Sequence, residues 1–122
     1  MNVLRPILLA YIAWMLIVTA AESSPVLGAG ALPIYPHRID SWYQGHYDSN
    51  ATTGQLQLVL RQGYAAFLDT PESRGAVTAW YQARLPGYSE LTVPTGTTFS
   101  GGSGLVKILP YKGMIRIALI PN

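Results

Sequence analysis

An α+β architecture is expected of this chain: an N-terminal apolar helix, then an antiparallel sheet of about five strands with one helix packed on a face. Three observations predict it. Residues 6–21 (PILLAYIAWMLIVTAA) form an unbroken, charge-free apolar run. Behind it lie pairs of short segments with strand-like patterning, each pair joined by a turn signal. Between those pairs stands one segment of helical periodicity, and two hairpins bury their apolar faces most simply as a sheet with that helix laid across it.

The apolar run comes first. As a helix its sixteen residues would extend about 24 Å, against a hydrocarbon core of roughly 30 Å, and Val3 and Leu4 lengthen it if Arg5 snorkels to the headgroups. Two readings stand. The segment 1–21 is a retained signal anchor, or a signal peptide with Met1 to Arg5 as its charged part and Val18-Thr19-Ala20 as a small-residue site before Ala21. In either case Arg5 predicts a cytoplasmic N-terminus and a domain across the inner membrane, periplasmic and tethered or, after cleavage, periplasmic or secreted. Arg5, Tyr11 and Trp14 are the candidate membrane-contacting residues. Residues 22–32 (ESSPVLGAGAL) are small, Gly/Ala-rich and aperiodic, as a linker is, which leaves 33–122 for one small domain.

Within that domain, Ile39 to Gln44 reads as a first strand and residues 48–54 as a loop. Gln55 to Arg61 (QLQLVLR) alternates Leu56, Leu58 and Leu60 with Gln57, Val59 and Arg61, the period of a half-buried strand. Gln62-Gly63 then reads as a tight turn, with Tyr64 to Leu68 as the returning strand. The helix follows: Thr70 as N-cap, Pro71 at the first position, Glu72 in the first turn, and Val77, Trp80, Tyr81, Arg84 and Leu85 recurring at helical spacing before Pro86-Gly87. Glu90 to Val93 is a short strand and Pro94 to Gly104 a Thr/Ser/Gly-rich loop. Leu105 to Leu109 and Met114 to Ile120 make the last hairpin around a Pro110–Gly113 turn, with Ile115, Ile117 and Leu119 on one face.

The stretch Thr70-Pro71-Glu72-Ser73, then Val77, Trp80-Tyr81 and Leu85-Pro86-Gly87-Tyr88, resembles a pattern of small exported bacterial α+β domains. In these a Tyr-Pro segment, here Tyr35-Pro36, leads into the strands and the helix carries a V-x-x-[WF]-Y-x-x-x-L-P run. The resemblance spans about residues 34–120. It implies export and membrane tethering and supplies no chemistry. Glu72 stands at the acidic position where the T-x-D-S-like cap of that pattern has aspartate, and no cysteine is present to carry a lipid, so the apolar run is the natural substitute for that tether.

Composition narrows the functional classes. Cysteine is absent, so an exported domain must be stable without disulfides. Charged residues make up 11% of the chain, against the usual ~25%. The net charge is +2, and beyond Arg5 the cations (Arg38, Arg61, Arg74, Arg84, Lys107, Lys112, Arg116) are scattered singly, which argues against nucleic acid as a partner. His37, Asp40, His46 and Asp48 are the residue types of a metal site, but their spacing matches no ligand motif and solvated loop residues explain them better. No nucleophile elbow is present, and Asp69 and Glu72 are explained by the helix start they flank. The Gly-rich Ser100–Gly104 segment leads into a strand, where a phosphate cradle leads into a helix, so no cofactor is expected. Asn50-Ala51-Thr52 is a formal glycosylation sequon.

What remains is aromatic. Tyr35, Trp42, Tyr43 and Tyr47 are the candidate interaction residues, either packing the first strand onto the sheet or, for Tyr43 and Tyr47, anchoring a protein contact. The expectation is a non-enzymatic accessory or structural subunit, membrane-anchored, with its domain on the periplasmic face of a larger complex of bioenergetic or light-harvesting kind. Its partners would be the bilayer and the proteins of that complex. The alternative is a cleaved, free binding module.

Overall fold

Residues 31–122 are described by the computed structural model; the apolar run, Arg5, Tyr11, Trp14 and most of the 22–32 segment lie outside the described residues. The chain from residue 31 forms an α+β layer pair. Its elements are β1 (Asp40–Tyr43), β2 (His46–Asp48), α1 (Thr53–Arg61), β3 (Ala66–Thr70), α2 (Arg74–Arg84), β4 (Ser89–Val93), β5 (Gly96–Gly101), β6 (Gly104–Tyr111) and β7 (Met114–Pro121). The strands make one antiparallel sheet in the order β2-β1-β3-β7-β6-β5-β4. No helix among the described residues is long and apolar enough to cross a membrane.

The segment expected to be the clearest strand is a helix. Residues 55–61 satisfy two periods at once: Leu56, Leu58 and Leu60 alternate, while Leu56, Val59 and Leu60 lie at i, i+3 and i+4. The helical set is the buried one, and Leu58 is 49% exposed. Local chemistry at the ends settles the choice. Thr52 accepts from the Gln55 amide while the Gln55 side chain accepts from the Thr52 amide, a capping box. At the other end the Gly63 and Tyr64 amides donate to the Leu60 and Val59 carbonyls, the paired bonds of a Schellman stop, and Gly63 takes the φ of +92° that this stop requires. Gln62-Gly63 is thus a helix end and not a hairpin turn, and the described residues hold two helices where the domain was expected to have one.

Three further expectations are corrected. Thr70 does not cap α2: it is the buried last residue of β3, its hydroxyl donating to the His37 carbonyl at 2.6 Å, and Ser73 caps the helix by accepting from the Ala76 amide. Within the expected 94–104 loop lies strand β5, where buried Thr97 and Phe99 alternate with half-buried neighbours; the Thr/Ser/Gly composition hid a two-residue period. Seven strands therefore replace about five. Leu32, assigned to the linker, is 2% exposed and part of the core.

The first strand and the last hairpin stand as expected in kind. The β1–β2 and β6–β7 hairpins close on Gln44-Gly45 and Lys112-Gly113, two-residue turns with positive φ at both positions, whose twist matches that of the strands. Pro110 and Tyr111 belong to β6 and not to the turn.

Register places Tyr43, Ala66, Leu119, Val106 and Phe99 in one row across the sheet, and Ser41, Leu68, Ile117, Ile108 and Thr97 in the next. The apolar members of these rows share one core cluster with Leu56 and Leu60 of α1, Val77 and Tyr81 of α2, and Leu32, Ile34 and Tyr35. Both helices therefore cover the same face of the sheet. The opposite face carries no helix among the described residues, and α2 takes the chain from β3 to the far edge, β4.

Candidate interaction surface

On the face that carries no helix among the described residues, the register row runs Tyr47, Trp42, Phe67, Ala118, Lys107, Thr98, Leu91. The β1–β2 turn sets Trp42 opposite Tyr47, and their rings meet at 4.7 Å between centroids. The Tyr47 hydroxyl donates to Asp40 at 2.6 Å, which ties the ring down and pushes the phenol pKa above its ordinary value. Trp42 is 37% and Tyr47 48% exposed, so both remain open to a partner.

One row away, Asp69 of β3 faces Arg116 of β7. The pair is bidentate: Arg116 Nε to Asp69 Oδ1 at 2.8 Å and a terminal nitrogen to Oδ2 at 2.9 Å. The carboxylate side chain is 4% and the guanidinium 18% exposed. The guanidinium plane lies 3.6 Å from the Tyr111 ring centroid, with Trp42 and Phe67 at 5.8 and 5.9 Å. Held by Asp69, Arg116 keeps its charge more firmly than a free arginine, its pKa raised by that hydrogen bond. The result is an aromatic strip across β2, β1, β3, β7 and β6 whose central cation, Arg116, is neutralised by Asp69, with Lys107 and Lys112 at its margin. Such a surface suits contact with an apolar or aromatic protein patch.

The four aromatic residues singled out in the sequence do not stay together. Trp42 and Tyr47 lie on the strip. Tyr43 points to the helix face, where it is half-buried against the core and its hydroxyl donates to Asp48 at 2.9 Å; that bond raises the phenol pKa. The Asp48 carboxyl is held below its usual range, first by the Asn50 amide and then by Tyr43. Tyr35 is a core residue, 2% exposed, with edge-on contact to Trp80 and its hydroxyl donating to Glu72. Burial first, then Glu72, pushes its pKa up to about 12. Tyr81 is likewise raised by burial and donates to the Pro33 carbonyl at 3.0 Å, pinning the segment before β1 onto α2.

Sequence reasoning missed Phe67, Asp69, Arg116 and Tyr111. Phe67 sits in YAAFL and Asp69 beside the helix start, so local explanations absorbed both; Arg116 registered only as one of the scattered cations. Their pairing across 47 residues has no sequence period to announce it.

Other groups are spoken for. His37, Asp40, His46 and Asp48 are not drawn together, and no set of three or more candidate ligands for a metal exists among the described residues. A cleft at the start of α2 is lined by Glu72, Arg74, Lys112 and the β6–β7 turn. Its Glu72 is taken by Tyr35, and Arg74 donates to the carbonyls of Val93, Pro94 and Gly96. Compared with protein-family models, curated proteins and solved structures, the chain finds no match.

Proposed function

We propose that this chain is a non-enzymatic accessory subunit that braces a larger membrane protein complex. The apolar run anchors it in the inner membrane, and the periplasmic domain meets its partner through the uncovered sheet face. The observation that carries this reading is the Trp42–Tyr47–Phe67–Arg116–Tyr111 strip. It is aromatic and broad, it is stiffened by the Tyr47–Asp40 and Arg116–Asp69 bonds, and its central cation is paired. Rigid aromatic anchors with little rotamer entropy to lose are the side chains that dominate protein contacts.

Purification in mild detergent through a C-terminal tag tests it. The full chain is expected to bring a defined membrane complex with it. Trp42→Ala with Tyr47→Ala should remove that complex, at a cost of about 2 kcal/mol or more of binding, while the thermal unfolding midpoint moves little. A monodisperse, partner-free product from the unaltered chain would sink the proposal.

A second reading, a cleaved free module, is favoured by one observation: residues 32–119 close a core of their own in which Leu32 already takes part. N-terminal sequencing separates the two, since a start at Ala21 supports the free module and Met1 the anchored subunit.

A further inference from the structure

We infer that β4 is a dimerisation edge, and that a second copy of this chain pairs with it antiparallel about a two-fold axis at Leu91. The sheet ends on two edge strands that differ in kind. β2 is three residues long, short enough to blunt that edge. β4 has five residues, all exposed, with no lysine, proline or bulge within it, and Leu91 stands 65% exposed. Among the described residues nothing pairs with its outer side.

The register follows from hydrogen-bond parity. The β4–β5 hairpin closes Val93 onto Gly96 across two residues, and such a turn bonds its first carbonyl to its fourth amide. Bonding pairs alternate along an antiparallel ladder, so Val93, Leu91 and Ser89 bond inward to β5, and Glu90 and Thr92 present their N–H and C=O outward. A symmetric partner strand has three ways to use those groups. Glu90 opposite Glu90 sets like charges face to face. Thr92 opposite Thr92 sets Glu90 against Pro94, which has no N–H to give. Glu90 opposite Thr92 satisfies all four outward groups on each strand's pair, with no like charge opposed, and seats Leu91 against its own copy at the centre.

The strand is prepared for that register. Arg74 grips the hairpin tip through the Val93, Pro94 and Gly96 carbonyls at 2.6–3.0 Å. Glu90 is held on the helix face by Gln82 at 3.0 Å and by the Thr92 hydroxyl at 3.2 Å, so its carboxylate does not swing across the edge. Pairing joins the two sheets and covers the two Leu91 side chains with each other. It holds equally for a tethered or a released domain.

Because the chain has no cysteine, single-cysteine variants of the full chain read the register directly. Facing residues of a non-bonded antiparallel pair have Cα atoms about 4.5 Å apart, within disulfide reach. The Leu91→Cys chain should therefore cross-link to itself under mild oxidation about tenfold faster than Ser89→Cys or Val93→Cys, whose like positions lie about 13 Å apart. Mixing Ser89→Cys with Val93→Cys should restore fast cross-linking. Leu91→Lys and Thr92→Pro should each shift the full chain from dimer to monomer in sedimentation while keeping its circular dichroism spectrum. Equal slow cross-linking at all three positions, or fastest cross-linking of Ser89→Cys with itself, would overturn the inference, whether the chain is then monomeric, pairs elsewhere, or gives this edge to a different protein.

Discussion

Tyr35 joins three parts of the molecule at one side chain: the segment before β1, the start of α2 through Glu72, and the Trp80 and Tyr81 rings. Its ionisation makes stability depend on alkaline pH with a definite sign. The phenol ionises near 10.0 in the unfolded chain and near 12 in the folded one. Below pH 10 neither state loses the proton and the contribution of the neutral buried phenol is complete. Between 10 and 12 the unfolded chain releases a proton that the folded chain keeps, so rising pH favours unfolding. Tyr81, raised by burial, acts in the same direction. Tyr35→Phe should cost about 1 kcal/mol near neutrality through the lost bond to Glu72, and its melting temperature should fall less steeply than that of the unaltered protein from pH 10 to 12. An unchanged slope would mean that Tyr35 does not govern this range. The Asp69–Arg116 pair is another long-range polar contact, and its work is to let two charges sit in an aromatic face without either being left unpaired.

α1 shows how end chemistry overrides a pattern. The alternation of Leu56, Leu58 and Leu60 is real, but it competes with a capping box at Thr52 and a stop at Gly63 that only a helix can use. A Cβ at Gly63 would meet nothing within 4 Å, so any effect of substitution there is purely conformational. Gly63→Ala should destabilise the fold by about 1–2 kcal/mol, the cost of holding an alanine in the left-handed region, as read by urea unfolding. No change in midpoint would show that the stop is not formed. α2 was legible because Val77, Trp80, Tyr81 and Leu85 recur at helical spacing between a Thr-Pro-Glu-Ser start and a Pro-Gly stop, although its true cap lay three residues beyond Thr70. β5 was illegible because threonine, serine and glycine suit loops and strands alike, and Phe99 alone marks its buried face.

From residue 31 on, the described residues make a sheet with one face sealed by helices and the other free of them, and substitutions should divide accordingly. Leu119, fully buried beneath α1, should cost about 2–5 kcal/mol as Leu119→Ala, whereas Lys107→Ala, at an exposed position of the opposite face, should stay within about 0.5 kcal/mol of the unaltered stability. Thermal unfolding of both variants checks this, and similar losses at the two positions would show that the open face is covered in the folded protein. The strip and the β4 edge occupy different ends of that open side, so a brace on one and a second copy on the other are sterically separate tasks for one small domain.

Composition and local spacing sufficed for the α+β class, the α2 helix and the final hairpin, and the ends of α1 were written locally too, because each depends on residues within a turn or two of one another. Which of four aromatics face outward, and that Asp69 meets Arg116 beneath Trp42, were decided in the tertiary structure. The reason is physical: a side chain's face is set by the register of strands far apart in the chain, and that register is chosen by how the whole sheet buries its apolar rows, not by any interval in the sequence.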